Sequence, residues 1–169
     1  MYFSDVSKYA IEMTKLNCKL NKVNFNAKLS DLTNKWSQNY FDLIINDVSA
    51  ISSFFLEKNT WYNSYIPSDT GIDGAKQIIK FFKIINEINV RNIVMPLISL
   101  CDTEKIKNII RKNKFKVTIL LDKDWPIPNN LIINERDSLM KLKRRKKIYF
   151  KEKYGFFVAN TKILHLQKN

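Results

Sequence analysis

Phe41-Asp42-Leu43-Ile44-Ile45-Asn46 is the stretch that decides the fold class. It is a short apolar run, too short for a stable helix, closed by a polar residue. Such a run predicts a strand buried on both faces, the kind found in parallel sheets. Working upstream, Val23, Phe25 and Ala27 alternate with Asn24, Asn26 and Lys28, which predicts a half-buried strand. Before it, Ser7 can cap a helix running to about Lys22, with Ala10, Met13, Leu16 and Leu20 near helical spacing. Met1 to Ser4 reads as the tail of a strand that ends at Asp5.

Downstream, a long connection runs from Asp47 to Thr70, with a short helix expected near Ile51 to Glu57. Gly71 to Asp73 opens a helix that reaches about Ile88 and carries Ala75, Ile78, Ile79, Phe82 and Ile85 on one face. Arg91 to Leu100 predicts a buried strand in which Pro96 calls for an edge, a bend or a bulge. Asp102 or Thr103 caps the next helix, to about Asn113, and Phe115 to Leu121 is a strand. Asp124 to Pro128 reads as a stiff crossing loop, and Glu135 to Lys143 as a short helix. Ile148 to Phe150 and Phe156 to Ala159 form a hairpin around Gly155, and Ile163 to Leu166 a last strand piece. No internal repeat or Gly/Ser-rich linker divides the chain, so residues 1–169 are one domain. Strands alternating with helices predict an α/β fold: a mainly parallel sheet with a C-terminal antiparallel hairpin.

Composition narrows the function classes. With 45% hydrophobic and 27% charged residues the chain is ordinary globular protein. No apolar run reaches the roughly 18 residues that span a bilayer, and the first residues carry no secretory pattern. The expectation is a cytoplasmic protein with no membrane partner. Cys18 and Cys101 follow no metal-ligand spacing, and His165 is the single histidine, so neither a zinc site nor a His-based catalytic pair is expected. The net charge of +13 invites a nucleic-acid reading. Lysine greatly outnumbers arginine and accompanies abundant asparagine and isoleucine, a bias that an AT-rich genome writes onto any protein. The run Lys141-Leu142-Lys143-Arg144-Arg145-Lys146-Lys147 is dense enough to stand apart from that bias.

In open α/β sheets ligands bind at the carboxyl ends of the strands. The polar residues there are Asp5, Asp31, Asn46 and Ser99. A carboxylate at Asp5 can accept hydrogen bonds from both hydroxyls of a ribose. Asp31 can accept from an adenine amino group, with Leu32 offering a backbone amide and an apolar surface. The Asn46 amide has an acceptor and two donors, suited to holding another amide or an amine. Each is also an ordinary turn residue.

Their order carries more. Asp5-Val6-Ser7-Lys8-Tyr9-Ala10-Ile11-Glu12, then Asn17-Cys18-Lys19-Leu20-Asn21, Ser30-Asp31-Leu32, Tyr40 to Asn46 and Asp73-Gly74 resemble the class I S-adenosylmethionine-dependent methyltransferases. The resemblance covers roughly Met1 to Leu121 and is closest to the branch with a small methyltransferase domain, which includes enzymes modifying glutamine amides or ribosomal RNA. It implies a Rossmann-like methyltransferase sheet and S-adenosylmethionine as cofactor. It implies Asp5 as the ribose ligand, Asp31 and Leu32 as the adenine contacts, and Asn46 at the methyl-transfer site. A nitrogen of a protein or RNA is the implied methyl acceptor, attacking in line, with positioning supplying much of the acceleration.

Two departures from the family pattern matter. Asn46 is followed by Asp47-Val48-Ser49 in place of the family's Pro-Pro-Tyr, so Asp47 enters as a second catalytic candidate beside its plain reading as a solvated loop residue. Trp61 and Tyr65, in Trp61-Tyr62-Asn63-Ser64-Tyr65-Ile66-Pro67, are candidates for the missing ring over the substrate, or for a hydrophobic lid on the sheet. The family's first strand, its acidic Gly-x-Gly turn and its first helix have no counterpart. The three glycines, Gly71, Gly74 and Gly155, lie elsewhere. The expectation is an N-terminally truncated domain whose absent strand belongs between those ending at Asp5 and Asn46, with a missing segment or subunit as partner. Two readings of other classes stay open. One is a non-catalytic nucleic-acid or ribosome-binding module using Lys141 to Lys147. The other is a nucleotide-binding oxidoreductase domain, less favoured because of the Asn46 corner.

Overall fold

The computed structural model describes residues 1–36, 40–48, 50–58 and 69–168. Strand β1 (Tyr2–Asp5) is followed by helix α1 (Lys8–Leu20) and strand β2 (Asn26–Leu29). Strand β3 (Tyr40–Ile45), helix α2 (Ser53–Lys58) and helix α3 (Lys76–Ile84) lead into strand β4 (Asn89–Ile98). Helix α4 (Thr103–Lys112), strand β5 (Phe115–Pro126), helix α5 (Asn129–Arg144) and strands β6 (Lys151–Lys153) and β7 (Phe156–Lys168) complete the order. Short 3-10 turns cover Asn34–Trp36 and Ile85–Glu87.

Local chemistry places the helices as expected. The Ser7 hydroxyl accepts from the Ala10 amide at 3.3 Å as read, and of the two cap candidates for α4 it is Asp102 whose carboxylate accepts from the Lys105 amide, at 3.0 Å. Ile78, Phe81 and Phe82 of α3 and Ile106 and Ile110 of α4 pack on Ile93, Met95 and Leu97 of β4, and on Leu164 and Leu166 of β7. That face is the main core. Burying one such side chain contributes roughly 1.5–3 kcal/mol. A second cluster, around Phe55, Leu131, Leu139, Ile148 and Phe150, holds α2 and α5 against the end of the sheet.

The sheet corrects the expectation of a mainly parallel arrangement. β1 and β2 form a two-stranded parallel sheet of their own. The other five strands form a mixed sheet in the order β3-β4-β7-β5, with β6 on β7. β3 and β4 are parallel, whereas β7 runs antiparallel to β4, β5 and β6. The reason is β7. It is a single strand from Phe156 to Lys168, where the sequence suggested two pieces, and it inserts between β4 and β5. The hairpin at Gly155 is present, but its first arm is Lys151–Lys153. Asp124 to Pro126 is strand, paired with Asn160 to Val158, and Trp125 donates to the Thr161 hydroxyl at 2.9 Å. α5 begins at Asn129 and bends at Glu135, so the expected helix is its second half.

Pro96 lies in β4, which has neighbours on both sides. The ladder with β3 ends at Ile45 opposite Val94, so at Pro96 the strand is paired only with β7. At that level β4 behaves as an edge, which is what a residue without an N–H requires.

Among the described residues β1 pairs only with β2 and β3 only with β4. Side chains join the two sheets across this seam. The Tyr2 ring meets Trp36 and Phe41 edge-on, with centroids 5.1 and 5.5 Å apart. Lys80 of α3 forms an ion pair with Asp31. The apolar β3 is correspondingly bare: Leu43 is 49% and Ile45 73% exposed, against the expectation of a strand buried on both faces.

Candidate functional site

The sequence-predicted residues fall into two groups. Asp5 and Asp31 come together because β1 and β2 end side by side, with the Ser30 amide donating to the Asp5 carbonyl at 2.9 Å. The exposed Asp5 carboxylate accepts from the Ser7 amide at 2.7 Å and so helps turn the chain into α1. Asp31 is half exposed and paired with Lys80. Leu32 follows with φ +53° and packs against the main core, so its contribution to a surface site is its backbone. A shallow hollow of about 320 Å³ lies here, lined by Val6, Leu29, Ser30, Asp31, Asn34 and Lys35.

Asn46 ends β3, in the other sheet, and does not line this hollow. Its backbone amide donates to the Val94 carbonyl at 2.9 Å, which continues the ladder one residue past the strand. The side chain is only 5% exposed, and Nδ2 is buried without a hydrogen-bond partner. A buried amide donor left unmade costs about 1–3 kcal/mol. Asp47 beside it is exposed. Trp61 and Tyr65 lie outside the described residues.

Ser99, the fourth strand-end residue, is a structural fastening. Its hydroxyl accepts from the Asn160 amide at 2.9 Å, its amide donates to the Asn160 carbonyl at 2.8 Å, and its carbonyl accepts from the Tyr149 amide at 2.7 Å. His165 pairs with Asn92 at 2.9 Å inside the sheet. Among the described residues no group of three or more His, Cys, Asp or Glu is placed to hold a metal.

The corner at the carboxyl end of β4 carries an ion-pair network that sequence reading did not find. Lys105 reaches Asp73 at 2.6 Å and Lys147 reaches Asp102 at 3.3 Å. Burial opposes ionisation of Asp73, but the Lys105 ammonium and the Ala75 amide outweigh it and hold its pKa below the ordinary value. Nearby, Cys101 is 1% exposed and donates to the Ile98 carbonyl at 2.9 Å. Burial, with Asp102 and Asp73 close by, pushes its thiol up to about 12. Only the thiolate is nucleophilic. Iodoacetamide at about pH 8, below even the ordinary thiol pKa, is therefore expected to leave Cys101 unmodified in the folded protein and to label it readily in denaturant. Equal labelling rates in the two states, read by mass spectrometry, would contradict this.

No protein-family model and no curated protein matches the chain. Solved structures do. One is a chain of the Mtq2–Trm112 complex of E. cuniculi, a complex responsible for methylation of the translation termination factor eRF1. It aligns at 12% identity over 99% of this chain and 84% of that one, with a TM-score of 0.50. Another is the YcgJ protein of Bacillus subtilis, at 10% identity over 99% and 82%, with a TM-score of 0.54. At such identities the likeness speaks to architecture alone, an α/β fold with a mixed sheet that these structures share.

Proposed function

We propose that this chain is an S-adenosylmethionine-dependent methyltransferase, or the C-terminal part of one, acting on a nitrogen of a protein or RNA. The observation that carries the reading is the placement of Asp5, Asp31 and Asn46 at the carboxyl ends of β1, β2 and β3 of this fold. The buried, unpartnered Nδ2 of Asn46 supports it, because a donor kept dry at a strand end is poised for a ligand's acceptor. Asp47, Trp61 and Tyr65 remain the nearest candidates in sequence for substrate contact.

The residues present fit only half of the cofactor. The hollow suits a nucleoside, with Asp31 on its wall as acceptor for an adenine amine and Asp5, at the adjacent strand end but off that wall, as acceptor for ribose hydroxyls. No glycine-rich turn occurs in the 169 residues to let backbone approach the amino-acid half. When bound, the cofactor supplies an electrophilic methyl group. What this chain supplies is the nucleoside's acceptors and the Asn46 amide beside the acceptor nitrogen. The edges of β1 and β3 that are unpaired among the described residues support a further part of the proposal: a strand and its turn enter between them, from residues outside this chain or from a partner subunit.

Calorimetry tests both parts. The chain alone is expected to bind S-adenosylmethionine weakly, with any heat abolished by Asp5→Ala. Tight binding by the chain alone would refute the incomplete pocket. Binding that ignores Asp5→Ala and Asp31→Ala would refute the site.

A further inference from the structure

A larger cavity of about 810 Å³ opens beside α4 and takes in Ser99 at the carboxyl end of β4; Asp5, Asp31 and Asn46 do not line it. Its walls are the end of β4, the start of α4, the last part of β5, the first half of β7, and the end of α5 with the segment that follows it into β6. The volume lies toward the upper end of the roughly 300–1,000 Å³ typical of ligand sites. Three acids line it, and each is neutralised within the protein. Glu104 pairs with Lys107 at 2.7 Å, Asp122 with Lys162 at 2.6 Å, and Asp124 with Lys153 at 2.6 Å. Asn160 adds hydrogen bonds to Asp122 and Asp124 at 2.6 and 2.9 Å. Lys143, Lys146 and Lys151 also line the cavity; among the described residues none of them forms an ion pair, although Lys151 lies near enough to Asp124 to help lower its carboxyl pKa.

The surplus cations sit on a built surface and not on a tail. α5 ends with the chain turning through φ +56° at Lys146, whose amide donates to the Lys143 carbonyl at 2.9 Å. Lys147 is tied to Asp102, and the Tyr149 amide to the Ser99 carbonyl. Ile148 and Phe150 are buried on either side, which turns the ring of Tyr149 outward, 50% exposed on the cavity wall. Lys143 Nζ lies 4.5 Å from the Phe150 ring centroid and 6.0 Å from that of Tyr149.

We propose that this cavity binds single-stranded nucleic acid, with Lys143, Lys146 and Lys151 on successive phosphates and a base stacked on Tyr149. Three separate ammonium groups spread over a helix end and the next strand suit a chain of phosphates better than one phosphate, which a single clamp of donors would hold. A half-exposed ring needs an unstacked base, which duplexes do not offer. No arginine lines the cavity to read base edges bidentately, so binding tolerates any sequence. The site stands independently of the methyl-transfer reading, because its readout needs no cofactor.

Fluorescence anisotropy with a labelled oligouridylate of about ten nucleotides, within the site sizes of single-strand binders, tests it across a salt series. Three phosphate contacts predict a slope of log K against log salt of about −2 or steeper. The Lys143→Glu, Lys146→Glu, Lys151→Glu variant is expected to weaken binding more than about tenfold and to flatten the slope by about 2. Tyr149→Ala should weaken binding roughly five- to tenfold with the slope unchanged, and Tyr149→Phe should restore it. Circular dichroism melts confirm that the variants fold. The control reverses the same charge elsewhere, at the exposed Lys15, Lys19 and Lys22. An equal loss in that control would overturn the proposal in favour of bulk charge. Anionic phospholipid vesicles bound with the same dependence on Lys143, Lys146, Lys151 and Tyr149 would overturn it in favour of a membrane surface.

Discussion

Gly74→Ala is expected to lower the melting temperature by about 10 °C, the largest effect of any single methyl addition at a glycine of this chain. Gly74 has φ +67°, and a Cβ there would lie 2.6 Å from the Ser52 nitrogen, 2.7 Å from Cys101 Cβ and 2.7 Å from the Ile51 carbonyl carbon. Two of these neighbours are backbone and cannot swing away. The Ser52 amide donates to the Leu100 carbonyl at 2.9 Å, and the Ser52 hydroxyl to the Ile72 carbonyl at 2.5 Å. Displacing Ser52 therefore breaks the stitching of three loops at the end of β4. The left-handed backbone costs about 1–2 kcal/mol, and an unmade buried hydrogen bond about 1–3 kcal/mol more. Gly155→Ala is the internal standard, with φ +76° and nothing within 4 Å of its Cβ. It should cost only about 1 kcal/mol. Thermal melts giving the two variants the same loss would sink the crowding explanation.

Asn46→Leu should move stability in the opposite direction. Replacing a buried donor that has no partner with an apolar group of similar shape removes a desolvation penalty of about 2 kcal/mol, worth ~5 °C in melting temperature. The same change deletes the amide that the proposed function sets beside the acceptor nitrogen, so on that proposal any methyl transfer should fall to background. A residue kept for structure would destabilise the fold when replaced, and a residue kept for chemistry would stabilise it. A lower melting temperature for Asn46→Leu would remove Asn46 from the proposed site.

Most element positions were legible in the sequence because they rest on local rules. The Ser7 cap, a cap at Asp102 or Thr103, the α3 stripe of Ile78 and Phe82 and the apolar run of β4 each follow from local sequence alone. Strand direction did not follow, because a period of two says nothing about which neighbour a strand chooses. β7 finds its partners far back along the chain, with Val158 opposite Pro126 of β5 and Gln167 opposite Asn92 of β4. Trp125 and Pro126 read as loop because proline suggested a break, yet Pro126 is the last residue of its strand. In the site, Asp5 and Asp31 were legible as strand ends. The cavity lysines were half legible: the run at Lys141 to Lys147 stood out, but Lys151 and Tyr149 join it only through the turn at Lys146.

The seam between the two sheets has a dynamic consequence. With no hydrogen-bonded ladder across it among the described residues, β1, α1 and β2 are coupled to the rest of the protein by a few side chains, chiefly Tyr2, Leu32 and the Lys80–Asp31 pair. Such a unit can open as a body while the five-stranded sheet stays closed, placing its amides at the fast end of hydrogen exchange. Trp36, buried beside Tyr2 with Lys28 4.0 Å from its ring centroid, sits where that opening would first let water in. The nucleoside end of the proposed site and the acceptor end would then belong to separate cooperative units, free to part and rejoin.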